Sequence, residues 1–560
     1  MSRFEGQVPL INSLFPLLTR YSRQSALVAQ QDVITPEDQQ NRDLKPAPIY
    51  LENLLPTKAG YRNTLQTPLP FPQTIDEIDF PIDINTKYLF LRDALDNVTQ
   101  MWISGDKACY YNASVFIPTV IASPGSVMDG EEITYAYLKD QTYIFFPRIG
   151  CFVFDIGTST FQNFVMQGLD FEKIKGIVAA SGYLVAYDAD TIYYSSVVTP
   201  TDFIPSTTTG AGSTKILGLA GAITGCLPLD NGFIIYTSGN AVAASYSGNA
   251  LLPFVFKEIK GSAGLIALKG VAWQPAIPYH IAFSSVGLLQ LDKNQAVHVF
   301  PEITDFLASG ILESIDFDPT LGIFSQFTSA KSEFNIALNY ILNRYLTISY
   351  GPTSSTHFTH ALVYDLSLQR WGKLKIDHVS LYAVAILGDF HVITYLDLQA
   401  LGTTWDSLHA DGTIYLDWFR ASQIKYFPDQ ILGYLRPVLN QNHDWGVVET
   451  DIPADTLSGP PRTGFIIFGD YRLTSHKTIT LYESRIDTLT LRALSKGIGI
   501  ASYIKNLRTV SYPEVSTYIG DGNVWNSRIV GEYFEYAIGG DCALDLSAFS
   551  TSIGRANSRR

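Results

Sequence analysis

Between Thr86 and about Ala421, apolar and polar positions alternate in short paired runs. Each unit is a strand of aromatic and β-branched residues, a turn of two to six residues, and a second such strand. The pairs are KYLFLRD with VTQMWISGD (Lys87 to Asp106), TYIFFPRIGCFVFD (Thr142 to Asp155), YLVAYDADTIYYSS (Tyr183 to Ser196) and GFIIYTSGNAVAASYSG (Gly232 to Gly248). YHIAFSSVGLLQLD (Tyr279 to Asp292) and RYLTISYGPTSSTHFTHALVYD (Arg344 to Asp365) follow, then a weaker pair, DFHVITYLD with DGTIYLDWF (Asp389 to Phe419). Asp188-Ala-Asp190, Ser238-Gly-Asn240, Ser284 to Gly287 and Asp411-Gly412 are hairpin-turn formers. A further strand precedes several pairs, as in IKGIVAAS, AITGCLPLDN and LKGVAWQP. Successive units start roughly 40–65 residues apart, the spacing of four-stranded propeller blades. A β-sandwich would repeat strands every 8–12 residues without this longer period. The pattern therefore predicts an all-β fold: a β-propeller over residues 86–421, six blades favoured, one of the seven pairs serving as an insertion or closure.

The flanks read differently. Residues 1–85 predict an extended N-terminal arm, because closely spaced prolines in KPAPIYLENLLPTKAGYRN and TPLPFPQT forbid helix and disfavour interior strand. Its apolar residues need a surface, on its own domain or on a neighbouring subunit. Residues 422–560 hold strands such as TGFIIFGDYRL and GEYFEYAIGGDCALDLSAF without the hairpin period, and predict a β-rich C-terminal domain or tip. The ending GRANSRR reads as a solvated terminus.

Composition sharpens this picture. Of 560 residues, 46% are hydrophobic, 13% aromatic and only 16% charged, which excludes a disordered or coiled-coil chain. The formal charge of −14 argues against a nucleic-acid binder, since no Lys/Arg cluster precedes the last few residues. MSRFEGQVPLINSLFPLL lacks the basic and apolar regions of a signal peptide, and no run reaches the roughly 18 apolar residues of a membrane helix. These features predict a chain soluble and intracellular when made. Cys109, Cys151, Cys226 and Cys542 lack CxxC spacing and read as buried reduced thiols.

Candidate chemistry is sparse. Asp188/Asp190 and Asp316/Asp318 could each give one carboxyl of a glycosidase pair, but a YDAD turn and an Asp before Pro are ordinary turn chemistry. The S-x-D-x-G-x-T-W turn of sialidase-like propellers is absent from the sequence. His357 and His360 would point to opposite faces of a strand, and no further metal ligands accompany them. Gly210 to Thr214 (GAGST) lacks the Lys and following helix of a P-loop and reads as a flexible loop. The sequence therefore assigns no catalytic residue, no metal ligand and no cofactor.

One stretch is more specific. TIYYSSVVTPTDFIPS, GAITGCLPLDNGFIIYTSGNAVAASYSG, PFVFKEIKGSAG and HIAFSSVGLLQLDKNQAVHV, spanning Thr191 to Val299, resemble the propeller of tail nozzle, tail tubular or packaged-DNA-stabilisation proteins of short-tailed double-stranded DNA bacteriophages. Ser195, Pro200, Asp202, Phe203, Gly221, Gly232, Tyr236, Phe254, Phe256, Gly264, Ser284 and Gly287 fill the positions of that pattern. VYDLSLQRWGKL and ENLLPTKAGYRN extend the resemblance over about residues 45–375. It implies a structural virion protein without catalytic role, made in the host cytoplasm and placed in the tail. It further implies a homo-hexameric ring below the portal and its head-to-tail adaptor, carrying tail fibres or a plug. The ring extends the channel through which genomic DNA passes without sequence-specific binding or membrane insertion. The alternative is a glycan-binding or glycan-degrading propeller acting as a receptor-binding virion protein.

Overall fold

The computed structural model describes most of residues 84–384, with breaks at 93–97, 113–116, 127–130, 250–251, 266, 315–316, 319–322, 325–327 and 342. It also describes short strands at 4–9, 48–56, 61–63 and 67–69, and nine strands between 431 and 555.

Six antiparallel four-stranded meanders follow one another along the chain, and each is a propeller blade. The first blade is Lys87–Arg92, Val98–Ser104, Lys107–Asn112 and Ile117–Ala122. The second is Thr134–Leu138, Gln141–Phe146, Gly150–Asp155 and Thr160–Phe164. The third is Gly176–Ala180, Tyr183–Tyr187, Thr191–Tyr194 and Gly212–Lys215. The fourth is Ile223–Leu229, Gly232–Thr237, Ala241–Tyr246 and Phe254–Glu258. The fifth is Val271–Ala272, His280–Ser284, Gly287–Leu291 and Ala296–His298. The sixth is Phe334–Ile341, Tyr345–Pro352, Phe358–Asp365 and Arg370–His378.

The paired runs of the sequence are thus the second and third strands of their blades, except Lys87 to Asp106, which supplies the first and second. The weak pair at 389–419 and the turn Asp411-Gly412 lie outside the described residues.

A blade is packed on both faces, so its second strand is buried almost throughout, and in the third and fourth blades it is almost wholly apolar. In the fourth blade Phe233 and Ile235 pack toward the third blade, while Ile234 and Tyr236 pack toward the fifth. Alternate residues of one strand therefore serve two seams, the direct consequence of a side-chain period of two. Fully burying each such side chain is worth about 1.5–3 kcal/mol. Outer strands behave otherwise: Thr160–Phe164 has no fully buried residue.

Between the fifth and sixth blades the chain inserts a helix, Pro301–Ser309, and a hairpin, Ile311–Ser314 with Thr328–Lys331. Proline at the helix start and Gly310 in the left-handed conformation at its end fix its limits. Thr304 of this helix accepts a hydrogen bond from the Leu288 amide at 3.1 Å, clamping it to the fifth blade. Ile84, just before the first blade, donates its amide to the Thr356 carbonyl of the sixth at 3.0 Å, across the point where the ring of blades closes.

The arm contains more regular strand than its prolines predict. Leu54–Pro56 adds to the outer edge of the sixth blade, and Tyr61–Asn63 pairs with it in turn. Asp545–Arg555 continues the same sheet, so the sixth blade runs on through the arm into the C-terminal strands. Pro48–Glu52 pairs with Gly464–Tyr471 at a register shift, and Thr67–Leu69 is the end strand of a sheet with Ser380–Val384, Ile431–Leu435 and Trp445–Val447. Among the described residues, Pro9, Pro48 and Pro56 sit at strand ends, Pro48 at the register shift, and Pro68 lies on an end strand, positions where a missing N–H is tolerated. Of the ending GRANSRR, Gly554 and Arg555 belong to the last strand, and 556–560 lie outside the described residues.

Candidate functional site

The sequence candidates resolve into turn chemistry. Asp188 Oδ1 accepts from the amides of Asp190 (2.9 Å) and Thr191 (2.8 Å), and its Oδ2 accepts from the Tyr193 hydroxyl at 2.9 Å. Asp190 faces the other way, toward Thr191 Oγ1 and the Lys215 ammonium at 2.7 Å, and these partners hold its carboxyl below the usual carboxylate range. Both carboxylates are thus occupied within their own blade. Asp155, Asp292 and Asp365 close equivalent turns through two following amides each. Asp316 lies outside the described residues, and Asp318 is described only as backbone paired with Ile323.

His360 stacks on Tyr350 at 5.4 Å inside the sixth blade, where burial pushes its pKa down, whereas His357 precedes the strand with Nε2 3.7 Å from an Asp377 oxygen. The two do not form a metal site, and no group of three or more potential ligands occurs among the described residues. Gly212 to Thr214 corrects the flexible-loop reading, because they belong to the outer strand of the third blade, paired with Tyr193, Ile192 and Tyr194. Gly212 fits there because a side chain would strike the Tyr194 ring. Cys109, Cys151 and Cys226 are buried free thiols, and burial pushes Cys109 up to about 12, so it stays a thiol at neutral pH. Cys542 lies outside the described residues.

The residues that carry the resemblance lace blades together. Ser195 Oγ accepts from the Leu184 amide at 3.0 Å inside the third blade. The Thr-Asp-Phe turn reaches the second blade: Phe203 donates to the Gln167 carbonyl at 3.0 Å, Gln167 donates to Thr201 at 2.8 Å, and the Phe203 ring is buried in that seam. Phe254 closes the seam of the third and fourth blades against Tyr183, Tyr194 and Phe233. Gly264 lies between the fourth and fifth blades, where a Cβ would collide with the Ser238 carbonyl. Gly287, at a φ of 109°, turns the fifth blade beneath Thr304.

Tyr236 of that pattern reaches across the same seam. Its ring stacks on His280, its hydroxyl lies 2.8 Å from Nδ1, and His280 Nε2 lies 2.9 Å from the Pro228 carbonyl. A carbonyl only accepts, so Nε2 carries the proton and Nδ1 accepts from tyrosine. Burial lowers the His280 pKa to about 4 and keeps the ring neutral.

The first strands of all six blades surround a central cavity of about 1130 Å³. Ala136 and Leu138 turn into the seam with the third blade, whereas Tyr135 and Tyr137 line the cavity. Tyr135 faces Trp273 of the fifth blade at 6.4 Å, and burial pushes its phenol up to about 12. Glu132 also spans the axis: its carboxylate accepts the Lys269 amide at 3.2 Å and lies 4.0 Å from the Lys87 ammonium. Arg148 pairs with Glu131 at 2.8 Å, and Lys175 donates to the Ile223 carbonyl at 3.1 Å. Sequence reasoning missed this set. Its signal was the charge and aromatic rings in EEITYAY and LKGVAW, at strand positions that a two-sided core would fill with aliphatic residues.

No family model matches this chain, and no curated protein matches it significantly. Solved structures similar to it include a chain of the mitotic checkpoint complex (10% identity, 69% of this chain and 95% of the other, TM-score 0.34). Others are the extracellular domain of the one-component system BT4673 from B. thetaiotaomicron (8%, 89% and 61%, TM-score 0.35) and the dihydro-heme d1 dehydrogenase NirN (11%, 55% and 57%, TM-score 0.27). At these scores the likeness says nothing about activity.

Proposed function

We propose that this chain is a structural component of a bacteriophage tail, the nozzle or hub ring below portal and adaptor, which helps retain packaged DNA and conducts it during ejection. The observation that carries the reading is where the tail-protein-like pattern falls. Its distinctive residues, Phe203, Tyr236, Phe254, Gly264 and Gly287 among them, serve as seams and turns between blades. A pattern that specifies construction suits a protein whose function is its shape.

The cavity constrains the route of DNA. Tyr135 and Trp273, and Glu132 and Lys269, meet across the propeller axis. A duplex whose major groove alone is about 12 Å wide cannot pass. DNA would therefore run along the axis of a ring of copies, outside each propeller. Exposed aliphatic residues in the loops of the third blade, Val198 (82% exposed) and Leu217 (88%), are available for contacts with copies, the adaptor, or fibre and plug proteins.

The test is native mass of the purified chain, alone and mixed with the adaptor ring. A six-fold assembly, alone or only on the adaptor, is the expected result. A stable monomer that ignores the adaptor overturns the reading.

A further inference from the structure

We infer that the central cavity of the propeller is a binding site for an acidic sugar, a carboxylate-bearing unit of the uronic-acid kind at the end of, or within, an oligosaccharide. The proposal stands apart from the tail assignment and applies equally to a monomer.

Three observations converge on it. The first is size: at about 1130 Å³ the cavity slightly exceeds the roughly 300–1,000 Å³ of small-molecule sites, enough for one or two sugar rings. The second is the wall. Tyr135 and Trp273 both line the cavity and pack against each other, centroids 6.4 Å apart at a 37° interplanar angle, so a sugar's C–H face would pack on the outside of this aromatic pair and not between its rings. Tyr137, two residues along the same strand, also lines the cavity and packs edge-on against Tyr135 at 5.6 Å, extending the aromatic wall.

The third is charge. The lining carries five cationic side chains, Lys87, Arg148, Lys173, Lys175 and Lys269, against three carboxylates, Glu131, Glu132 and Glu172, in a chain of formal charge −14. Lys87 and Arg148 are matched by Glu132 and Glu131, and Lys173 by Asp170 at 2.9 Å. Lys175 and Lys269 have no carboxylate within ion-pair distance among the described residues; Lys175 is held only by the neutral Ile223 carbonyl. With those pairs set aside, Lys175 and Lys269 stand against Glu172, an excess of one positive charge, which a concave site with low-dielectric walls focuses on one entering anion. The three carboxylates oppose a multiply charged phosphate but tolerate a single carboxylate, and their oxygens accept from ligand hydroxyls. One negative charge, several hydroxyls and an apolar ring face together describe a uronic acid.

The experiment is isothermal titration calorimetry of the full chain with a glucuronate-containing tetrasaccharide, with its neutral glucose counterpart and inorganic phosphate as parallel probes. Lys175→Ala, Lys269→Ala and Trp273→Ala are titrated alongside, and thermal melts confirm that each is folded. Saturation at one site, at least tenfold weaker binding of the neutral sugar, and at least a tenfold loss in Lys269→Ala and Trp273→Ala are expected. Lys175→Ala and Lys269→Ala touch only half-exposed or exposed side chains, so the test survives if Trp273→Ala fails to fold. No binding of the acidic sugar, equal binding of the neutral one, competition by phosphate alone, or unchanged affinity in both lysine variants overturns the proposal.

Discussion

The fourth and sixth blades are built from the same four-stranded meander and finish in opposite ways. In the fourth, the outer strand Phe254–Glu258 has a partner on one side only among the described residues, and Val255, Lys257 and Glu258 face solvent. In the sixth, the outer strand Arg370–His378 is covered by the arm, and Lys373, at 1% exposure, is buried beside it. Asn53 of the arm accepts the Lys375 amide at 2.9 Å, and the buried Glu52 lies 3.7 Å from the Lys375 ammonium. An open edge stays soluble by carrying charge outward. A covered edge can bury its charge only because a neighbouring strand brings partners. The difference teaches that the arm is part of the propeller's sheet structure, with polar groups fixing where it docks.

The largest effect should come from the core of the covered blade. Trp371 is fully buried against Phe300 at 5.0 Å and Tyr364 at 4.8 Å, and Trp371→Ala should cost about 3–5 kcal/mol in denaturant unfolding. If the sixth blade and its arm unfolded in a separate, earlier transition unaffected in the other blades, the comparison would need redrawing.

Next in size is pH. His280, on the seam of the fourth and fifth blades, has a folded pKa of about 4 against about 6.5 unfolded. The unfolded chain takes up the proton first, so stability is present above about pH 6.5 and is lost as pH falls toward about 4, by about 3 kcal/mol. His360 in the sixth blade, also lowered by burial, adds to the same slope. His280→Gln keeps an acceptor for Tyr236 and a donor for Pro228, and should flatten its share of the curve. An unchanged slope would remove His280 from the account.

A smaller change separates arm from blade. Asn53→Ala leaves the Lys375 amide without its acceptor and should cost about 1 kcal/mol. Limited proteolysis should cut within 48–63 before the propeller, and cleavage no faster than in the parent would count against the polar latch. The smallest effect on stability belongs to the exposed loop between the third and fourth blades: Leu217→Ser should stay within about 0.5 kcal/mol. If that loop meets another subunit, the same variant should still weaken ring assembly in sedimentation, and unaltered assembly would place the contact elsewhere.

The blades were legible in the sequence because two-sided burial writes aromatic and β-branched runs into the second strands, GFIIYT being the clearest, and because Asp188, Ser284 and Asn240 announce their turns. The first strand of the fifth blade, Val271–Ala272, was legible too, inside the LKGVAWQP run that precedes its pair. The pairing of Leu54 with Lys373 was not, because pairing across more than 300 residues leaves no local trace. The cavity was half visible. Lys269 and Trp273 are plain in LKGVAW, but that Glu132 would meet Lys269, and Tyr135 Trp273, follows only from closing the ring of blades.

The central claim, that these propellers surround a DNA path rather than contain one, is tested most directly by electron cryo-microscopy of the chain assembled on its adaptor with DNA in the lumen. The account predicts a closed ring, six-fold in projection, with duplex density along the common axis and each propeller cavity free of DNA. Isolated monomeric propellers, or nucleic-acid density inside a propeller cavity, would contradict it.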